Sequence, residues 1–297
     1  MPLTLKTEYG RIVVAKLRQR LVTRTLFNEN YRGQANAGAV MIPVTPEVSL
    51  FDYNKGAISS NTVGYVENNY INCLVDKDKA KITYIDGYQA SALPYNVIMD
   101  ELEKTGYAIA KAEDDHAIAT LKYAINGKDK GGSNAFGSGD PHYQKTGTVV
   151  SVGASDIYDV LTGAFATMTT KGVPTDGRWL IAGPTCLQLI LSSNKAIRQS
   201  DLSQELVMAG AVAQIAGFAV FTTGNLTGTQ VVSEAEKNIY AIAGHKDFCT
   251  RVESFDYEPF VVDGNSDASV VGGSFIKSRI VFTHEVLNPE AFVMITA

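Results

Sequence analysis

The sequence is short of the residues that usually announce a catalytic or metal site. Among 297 residues there are three cysteines and four histidines. Cys73, Cys186 and Cys249 are far apart, and none has the paired spacing of a metal or redox motif, so they read as reduced thiols of a protein made in a cytoplasm. The histidines, at 116, 142, 245 and 284, show no metal-ligand spacing. Long apolar runs are missing too. The longest, Val207 to Phe221, contains Gln214 and is too short to span a bilayer, and no apolar signal core opens the chain. A soluble protein is expected. The formal charge is −5, which excludes a global basic field drawing the whole chain to nucleic acid. Aromatics are not interleaved with basic residues as in single-strand binders. Asn225-Leu226-Thr227 matches a glycosylation acceptor, but with no sign of secretion it carries no weight.

The short motifs that remain are incomplete. Glu113 and His116 have the i, i+3 spacing of half a di-iron carboxylate site, yet no second Glu-x-x-His exists to complete it. Glu113-Asp114-Asp115 therefore reads as a solvated acidic helix face. Ser192-x-x-Lys195 and Ser274-x-x-Lys277 match a Ser-x-x-Lys nucleophile pattern without its Ser-Asp-Asn or Lys-Thr-Gly companions. Gly153-Ala154-Ser155 lacks the closing glycine of a nucleophile elbow, and Gly127-Lys128 lacks the Ser or Thr of a phosphate loop. No catalytic, metal-binding or cofactor-binding residue is assigned, and no cofactor is implied.

What the chain does have is a basic beginning and one exceptional helix. Residues 1–40 carry seven basic against two acidic residues, a local charge of +5, and leave about −10 for the rest. Such a stretch meets phosphate or an acidic partner, or is a solvated face. Gly10 to Leu26 reads as a short basic helix with Ile12, Leu17 and Leu21 on one side. Asn96 is a cap for a helix running to Ile125, with Asp100, Glu101 and Glu103 near its positive start, Lys122 near its end and Asn126-Gly127 as its stop. Those 29 residues without proline make roughly 44 Å of helix. Its apolar residues form two narrow faces, Ile98, Leu102, Ile109, Ala112 and Tyr107, Ala110, Ile118, Leu121, Ile125. One is expected against the protein's own strands, the other toward an interior or the N-terminal arm.

Around that helix the periods alternate. An irregular region holds Gly33, Gly38, Pro43 and Pro46. Residues 63–67, 71–75 and 81–85 read as strand, with Asp76 to Lys79 a turn, giving a polar hairpin that is marginal alone and needs an outside support. Residues 127–147 are a glycine-rich loop. Ser155 opens an amphipathic helix through Ile157, Val160, Leu161, Ala164, Phe165 and Met168, stopped at Gly172. Arg178 to Ala182 is a buried strand and Pro184 begins a further helix. Strands follow near 238–243, 255–262, 275–286 and 292–296. The class is α+β with mainly antiparallel strands.

Val173-Pro174 with Arg178, Leu180 and Pro184, then Gly210 with Ile215-Ala216-Gly217-Phe218-Ala219-Val220, then Ile239 to Lys246, resemble the major capsid proteins of tailed bacteriophages, whose fold is the Hong Kong 97-like capsid fold. The resemblance covers most of the chain in order. It implies an N-terminal arm (1–54), an extended hairpin loop (55–90), a peripheral domain with a spine helix (91–147), an axial domain (148–236) and strands returning to the peripheral domain (237–297). It implies a self-assembling icosahedral shell around phage double-stranded DNA, in a virion assembled in the host bacterial cytoplasm. Expected partners are further copies in hexamers and pentamers, a portal, and a separate scaffolding protein, because the stretch before the helix is too short to include one. Contact with packaged DNA would be non-specific. Inter-subunit candidates are Tyr53, Lys55, Tyr65, Tyr70, Lys77, Asp78, Lys79 and Tyr84. Arg11, Lys16, Arg18, Arg20 and Arg24 would face DNA or scaffold. The alternatives are an encapsulin-type nanocompartment shell and, from another class, a Ser/Lys acyl-transfer enzyme.

Overall fold

The computed structural model describes residues 21–31, 38–44, 50, 52–53, 55, 69–92, 96–125, 147–152, 156–193, 214–226, 229–232, 235–263 and 272–296. Strands β1 (Ala39–Val44) and β2 (Asn69–Leu74) pair antiparallel, Ala39 opposite Leu74 and Val44 opposite Asn69. β3 (Lys77–Ile85) follows almost at once, and a short helix α1 (Gly87–Ala92) leads to the long helix α2 (Val97–Ile125). Then come β4 (Thr148–Ser151), α3 (Ile157–Thr170), β5 (Arg178–Ala182) and α4 (Pro184–Ser192). The remainder is strand: β6 (Gln214–Ile215), β7 (Phe218–Thr222), β8 (Thr229–Val232), β9 (Ala235–His245), β10 (Cys249–Asp263), β11 (Ser274–Val286) and β12 (Val293–Thr296).

Three sheets result. β1 and β2 stand alone as a ribbon, β10-β11-β3 form a second sheet, and β4-β12-β9-β5-β7-β6 form the largest, with β8 paired to β9. Pairing is antiparallel except for β12 with β4 and β5 with β7. The strands expected to make one hairpin, 71–75 and 81–85, do not pair with each other. β2 takes β1 as its partner, and β3 takes β11, nearly two hundred residues away. The hairpin is thus β1–β2, whose strands bracket residues 45–68, and the irregular region around Pro43 contains a strand. β3 is polar because it is a sheet edge, where charges such as Lys77, Asp78 and Lys79 discourage stray pairing. Residues 63–67 lie outside the described residues. The strands of 237–297 also divide: β10 and β11 join β3, whereas β9 and β12 belong to the largest sheet.

Helix α2 has the bounds its capping residues dictate, and Asn96 Oδ1 accepts the Met99 amide at 3.2 Å. Its burial divides by halves rather than into two lengthwise faces. From Val97 to Ala112 only Thr105 is buried, as this half lies across the β3–β11–β10 sheet and Glu101 takes the Lys81 ammonium at 2.6 Å. From Glu113 onward the helix is buried on nearly all sides, with Ile118 and Leu121 at 2% and 0% exposure. This second half enters the main core with Leu161 and Met168 of α3, Leu180 and Ile181 of β5, Ile242 of β9 and Met294 of β12. Lys122 is carried in with it, and burial pushes its ammonium below the usual value.

In α3 the cap is Asp156, whose Oδ1 accepts the Tyr158 amide at 2.9 Å; Ser155 lies outside the described residues. The turn out of α3 explains the Val173-Pro174…Arg178 spacing. Every residue of β5 is buried, Arg178 included, and its guanidinium donates to the carbonyls of Phe165, Val173 and Pro174 at 3.0, 2.6 and 2.7 Å. It also lies 4.2 Å over the Phe165 ring. A cation there binds carbonyls of the last turns of α3 and of the turn that follows, and suits the negative pole of the helix. A smaller apolar cluster (Val40, Ile42, Ile71, Cys73 and Val252) seats the β1–β2 ribbon on β10.

Candidate functional site

The polar chemistry of this chain is spent on internal ties. Val22, Leu26 and Phe27 sit in the main core, and a carboxylate on α2 fixes the backbone beside them. Asp114 Oδ1 accepts the amides of Val22 and Thr23 at 3.0 and 2.9 Å and the Thr23 hydroxyl at 2.9 Å, while Oδ2 accepts Asn225 Nδ2 at 2.7 Å. Next to it, Arg251 is 1% exposed. Its Nη2 lies 2.9 Å from both Glu113 Oε1 and Glu253 Oε2, and its Nη1 donates to Glu29 Oε1 at 3.2 Å. Burial alone would lower the guanidinium, but Glu113, Glu253 and Glu29 together hold it above its ordinary value. Asn28 adds a short parallel bridge to the edge of β10, its amide donating to the Cys249 carbonyl at 3.1 Å.

This overturns the reading of Glu113 and Asp114 as a solvated face: they are 5% and 1% exposed. Their counter-groups come from 91 to 138 residues away in sequence, so nothing local marked them. Arg251 was likewise passed over; its only trace is a charge alternating with Glu253 inside an otherwise apolar-faced strand. Residues 23–25 form a 3₁₀ turn, not the end of an α-helix; residues 10–20 lie outside the described residues.

Among the described residues the candidate catalytic patterns do not assemble; Gly127-Lys128, Gly153 to Ser155 and Lys195 lie outside them. Glu113 pairs with Arg251 and His116 with His284, so neither is turned to a common ligand. Ser274 and Lys277 are three apart on a strand and project to opposite faces. Among the described residues no three His, Cys, Asp or Glu side chains converge as a metal site would need. The three thiols are buried, and burial pushes Cys186 up to about 12, far from a reactive thiolate.

Among the described residues, two strand surfaces carry clusters of exposed apolar side chains. The ribbon exposes Met41, Tyr70 and Leu74, at 67%, 49% and 55%. The outward face of β3–β11–β10 exposes Ile82, Tyr84, Tyr257 and Phe260, with Tyr84 stacked on Phe275 at 5.1 Å and Tyr257 on Phe260 at 5.9 Å. Arg279 grips Asp78 bidentately on the same face, at 3.0 and 2.6 Å, and that hydrogen-bonded cation holds the Asp78 carboxyl below its usual range.

Of the proposed contact residues, Tyr53, Lys55, Tyr70, Asp78, Lys79 and Tyr84 are exposed, and Lys77 is half-buried beside Asp76. Tyr65 lies outside the described residues, as do Arg11, Lys16, Arg18 and Arg20. Arg24 is exposed at the rim of a recess between α2 and β10, near Gly106, Ile109 and Pro259.

Among the described residues, then, the buried polar groups of Arg251, Glu113 and Asp114 tie the fold together, and exposed aromatics such as Tyr84 and Tyr257 lie on its surface. Residues 76–295 match the family model described as phage capsid protein, and the chain belongs to that family. It is a major capsid protein, a component of the virion shell. The fold is similar to a solved structure from Mycobacterium phage Che8 (18% identity, TM-score 0.72, covering 98% of this chain and 97% of that one). It is also similar to the capsid structure of the cyanophage P-SCSP1u (16%, TM-score 0.76, 99% and 93%). A third likeness is to the mature capsid of bacteriophage PhiM1 (12%, TM-score 0.70, 99% and 92%). No curated protein matches the sequence. The fold is thus the Hong Kong 97-like capsid fold, and neither the nanocompartment nor the acyl-transfer alternative is favoured.

Proposed function

We propose that this subunit joins its neighbours head to tail, the apolar side of the β1–β2 ribbon of one copy lying on the outward β3–β11–β10 face of the next. The observation that carries the reading is the presence of two different open apolar surfaces on one chain, Met41, Tyr70 and Leu74 on one and Ile82, Tyr84, Tyr257 and Phe260 on the other. Such patches mark interaction sites. Two unlike patches make a heterologous contact, which closes into rings when the rotation allows. Hexamers and pentamers of an icosahedral shell around double-stranded DNA are the product.

In this reading α2, β3, β10 and β11 are the peripheral domain and the largest sheet with α3 and α4 the axial one. The residues before β1 belong to an arm whose Arg11, Lys16, Arg18, Arg20 and Arg24 meet DNA phosphates or an acidic scaffold. Tyr53, Lys55, Tyr65 and Tyr70 belong to the reaching side of the contact, and Lys77, Asp78, Lys79 and Tyr84 to the receiving side. Portal and scaffold are separate proteins, and the subunit performs no catalysis. Burying Ile82 and Tyr84 contributes about 1.5–3 kcal/mol each, so the test is the double variant Ile82→Asp/Tyr84→Asp. Electron microscopy should show shells from the parent protein and none from the variant, with an unchanged circular dichroism spectrum. Normal shells from the variant would refute the receiving face.

A further inference from the structure

His116 of α2 and His284 of β11 meet Nδ1 to Nδ1 at 3.0 Å, their ring centroids 5.3 Å apart. Phe27, from the segment that Asp114 holds, stands edge-on to His284 at 5.4 Å. Phe282 stands edge-on to His116 at 5.7 Å. His284 is 2% exposed and His116 half-buried, so the His284 ring has little water to turn to. A 3.0 Å separation between two ring nitrogens holds one hydrogen. A neutral pair satisfies it with one Nδ1–H and one lone pair, and a singly protonated pair does so as well. A second proton sets N–H against N–H and cation against cation.

The neighbouring charges grade these steps. Arg251 is the direct cross-strand partner of His284 on β10, facing α2 as His284 does, and it opposes charge on that ring. Glu113 lies one turn before His116 on α2, and Glu253 and the segment's Glu29 complete the carboxylates around Arg251. They favour the first proton and offset part of the repulsion. Asp114 is committed to Val22, Thr23 and Asn225. Asp115 is exposed beside it, its carboxyl raised by partial burial against the pull of Lys111. Glu285, next to His284 on its strand, points to the opposite face.

We infer that the His116–His284 pair is an acid-sensitive latch on residues 22–29, closed while it holds at most one extra proton and opened when it takes the second. A freed imidazole titrates at its ordinary value of about 6.5, whereas the first proton and Arg251 push the second protonation of the closed pair lower, so acidification below that ordinary value favours opening. Opening loosens the packing of α2 on β11 beside Phe27, and with it one of the ties on the segment, whose bonds to Asp114 and to the β10 backbone remain. One proton taken up on opening makes the open population rise by up to about tenfold per pH unit between the ordinary titration of a freed imidazole and the lower second protonation of the closed pair, and level off below it.

Hydrogen exchange of residues 22–29 in the full-length protein, corrected for the intrinsic pH dependence, tests this between pH 7 and 5. The expected result is that rise in the parent and a flat profile in the double variant His116→Asn/His284→Asn, which keeps polar groups but cannot take the protons. A flat parent, or a variant that follows the parent, would overturn the latch. Should the variant not fold, ¹⁵N-detected titration of the parent's imidazoles decides instead. Two steps separated by more than a pH unit support the coupling, and two independent, ordinary titrations refute it.

Discussion

Replacing Arg251 by methionine removes the one cation shared by Glu113 and Glu253, both of which are more than nine-tenths buried. Methionine roughly preserves the volume, so the loss is electrostatic rather than a cavity. Stripping one partner from a buried pair costs about 3–5 kcal/mol, and here two buried carboxylates are left together, so the upper half of that range is expected at pH 7. The pH dependence has a definite sign. Without Arg251 both carboxyls are pushed up in the folded state, by burial and by each other, above their unfolded value of about 4.3. The penalty is therefore full above the raised folded value and is relieved as pH falls through it. The gap between parent and variant should narrow from pH 7 toward pH 5. Adding Glu113→Gln and Glu253→Gln to the methionine variant should recover most of the loss at pH 7. Trp179, the single tryptophan, is 3% exposed and packed 5.9 Å from the Phe292 ring, which makes its fluorescence the natural signal for urea unfolding of the unassembled chain. A loss below about 1 kcal/mol, or a gap that does not move with pH, would refute the claim that Arg251 neutralises a buried acidic cluster.

Two further outcomes follow from other parts of the fold. Gly244→Ala would place a Cβ 2.4 Å from Phe292 Cδ1 and 2.7 Å from Trp179 Cη2 inside the core, a clash expected to cost about 1–3 kcal/mol in the same urea assay; an unchanged midpoint would show that β9 can shift there freely. Arg18→Gln, Arg20→Gln and Arg24→Gln together should leave the fold intact but impair assembly or packaging, scored as the fraction of DNA-filled particles by electron microscopy; normal full particles would remove the basic arm from that role.

Much of this architecture could be read from local chemistry. Helix α2 was delimited by Asn96, its proline-free course and the stop signals beyond Ile125, each a property of neighbouring residues. The same holds for α3, β5 and α4, where amphipathic period, an all-apolar run and Gly183-Pro184 are short-range signals. What stayed hidden depends on distant residues. The strand at Ala39–Val44 was obscured by Pro43, tolerated there in a two-stranded ribbon. Residues 71–75 and 81–85 looked like hairpin partners because the polar stretch Asp76 to Lys79 between them reads as a turn, yet the observed strands make their ladders with β1 and β11. Glu113 and Asp114 looked solvated because charge in a sequence is normally surface charge; only the fold delivers Arg251, Thr23 and Asn225 to them. The exposed aromatics Tyr70 and Tyr84 were legible as candidates from their polar setting, but their division between two separate surfaces was not.

The paired ends of β10 and β11 carry the N-terminal segment and α2 on one face, through Arg251 and His284, and the β1–β2 ribbon on the other, through Val252. These are neighbouring residues of the same two strands, pointing in alternate directions. The ribbon and the segment of residues 22–29 are in effect bolted through a single plank. A load applied to the ribbon passes to the N-terminal segment across the thickness of one sheet, and slack in one bolt is felt at the other.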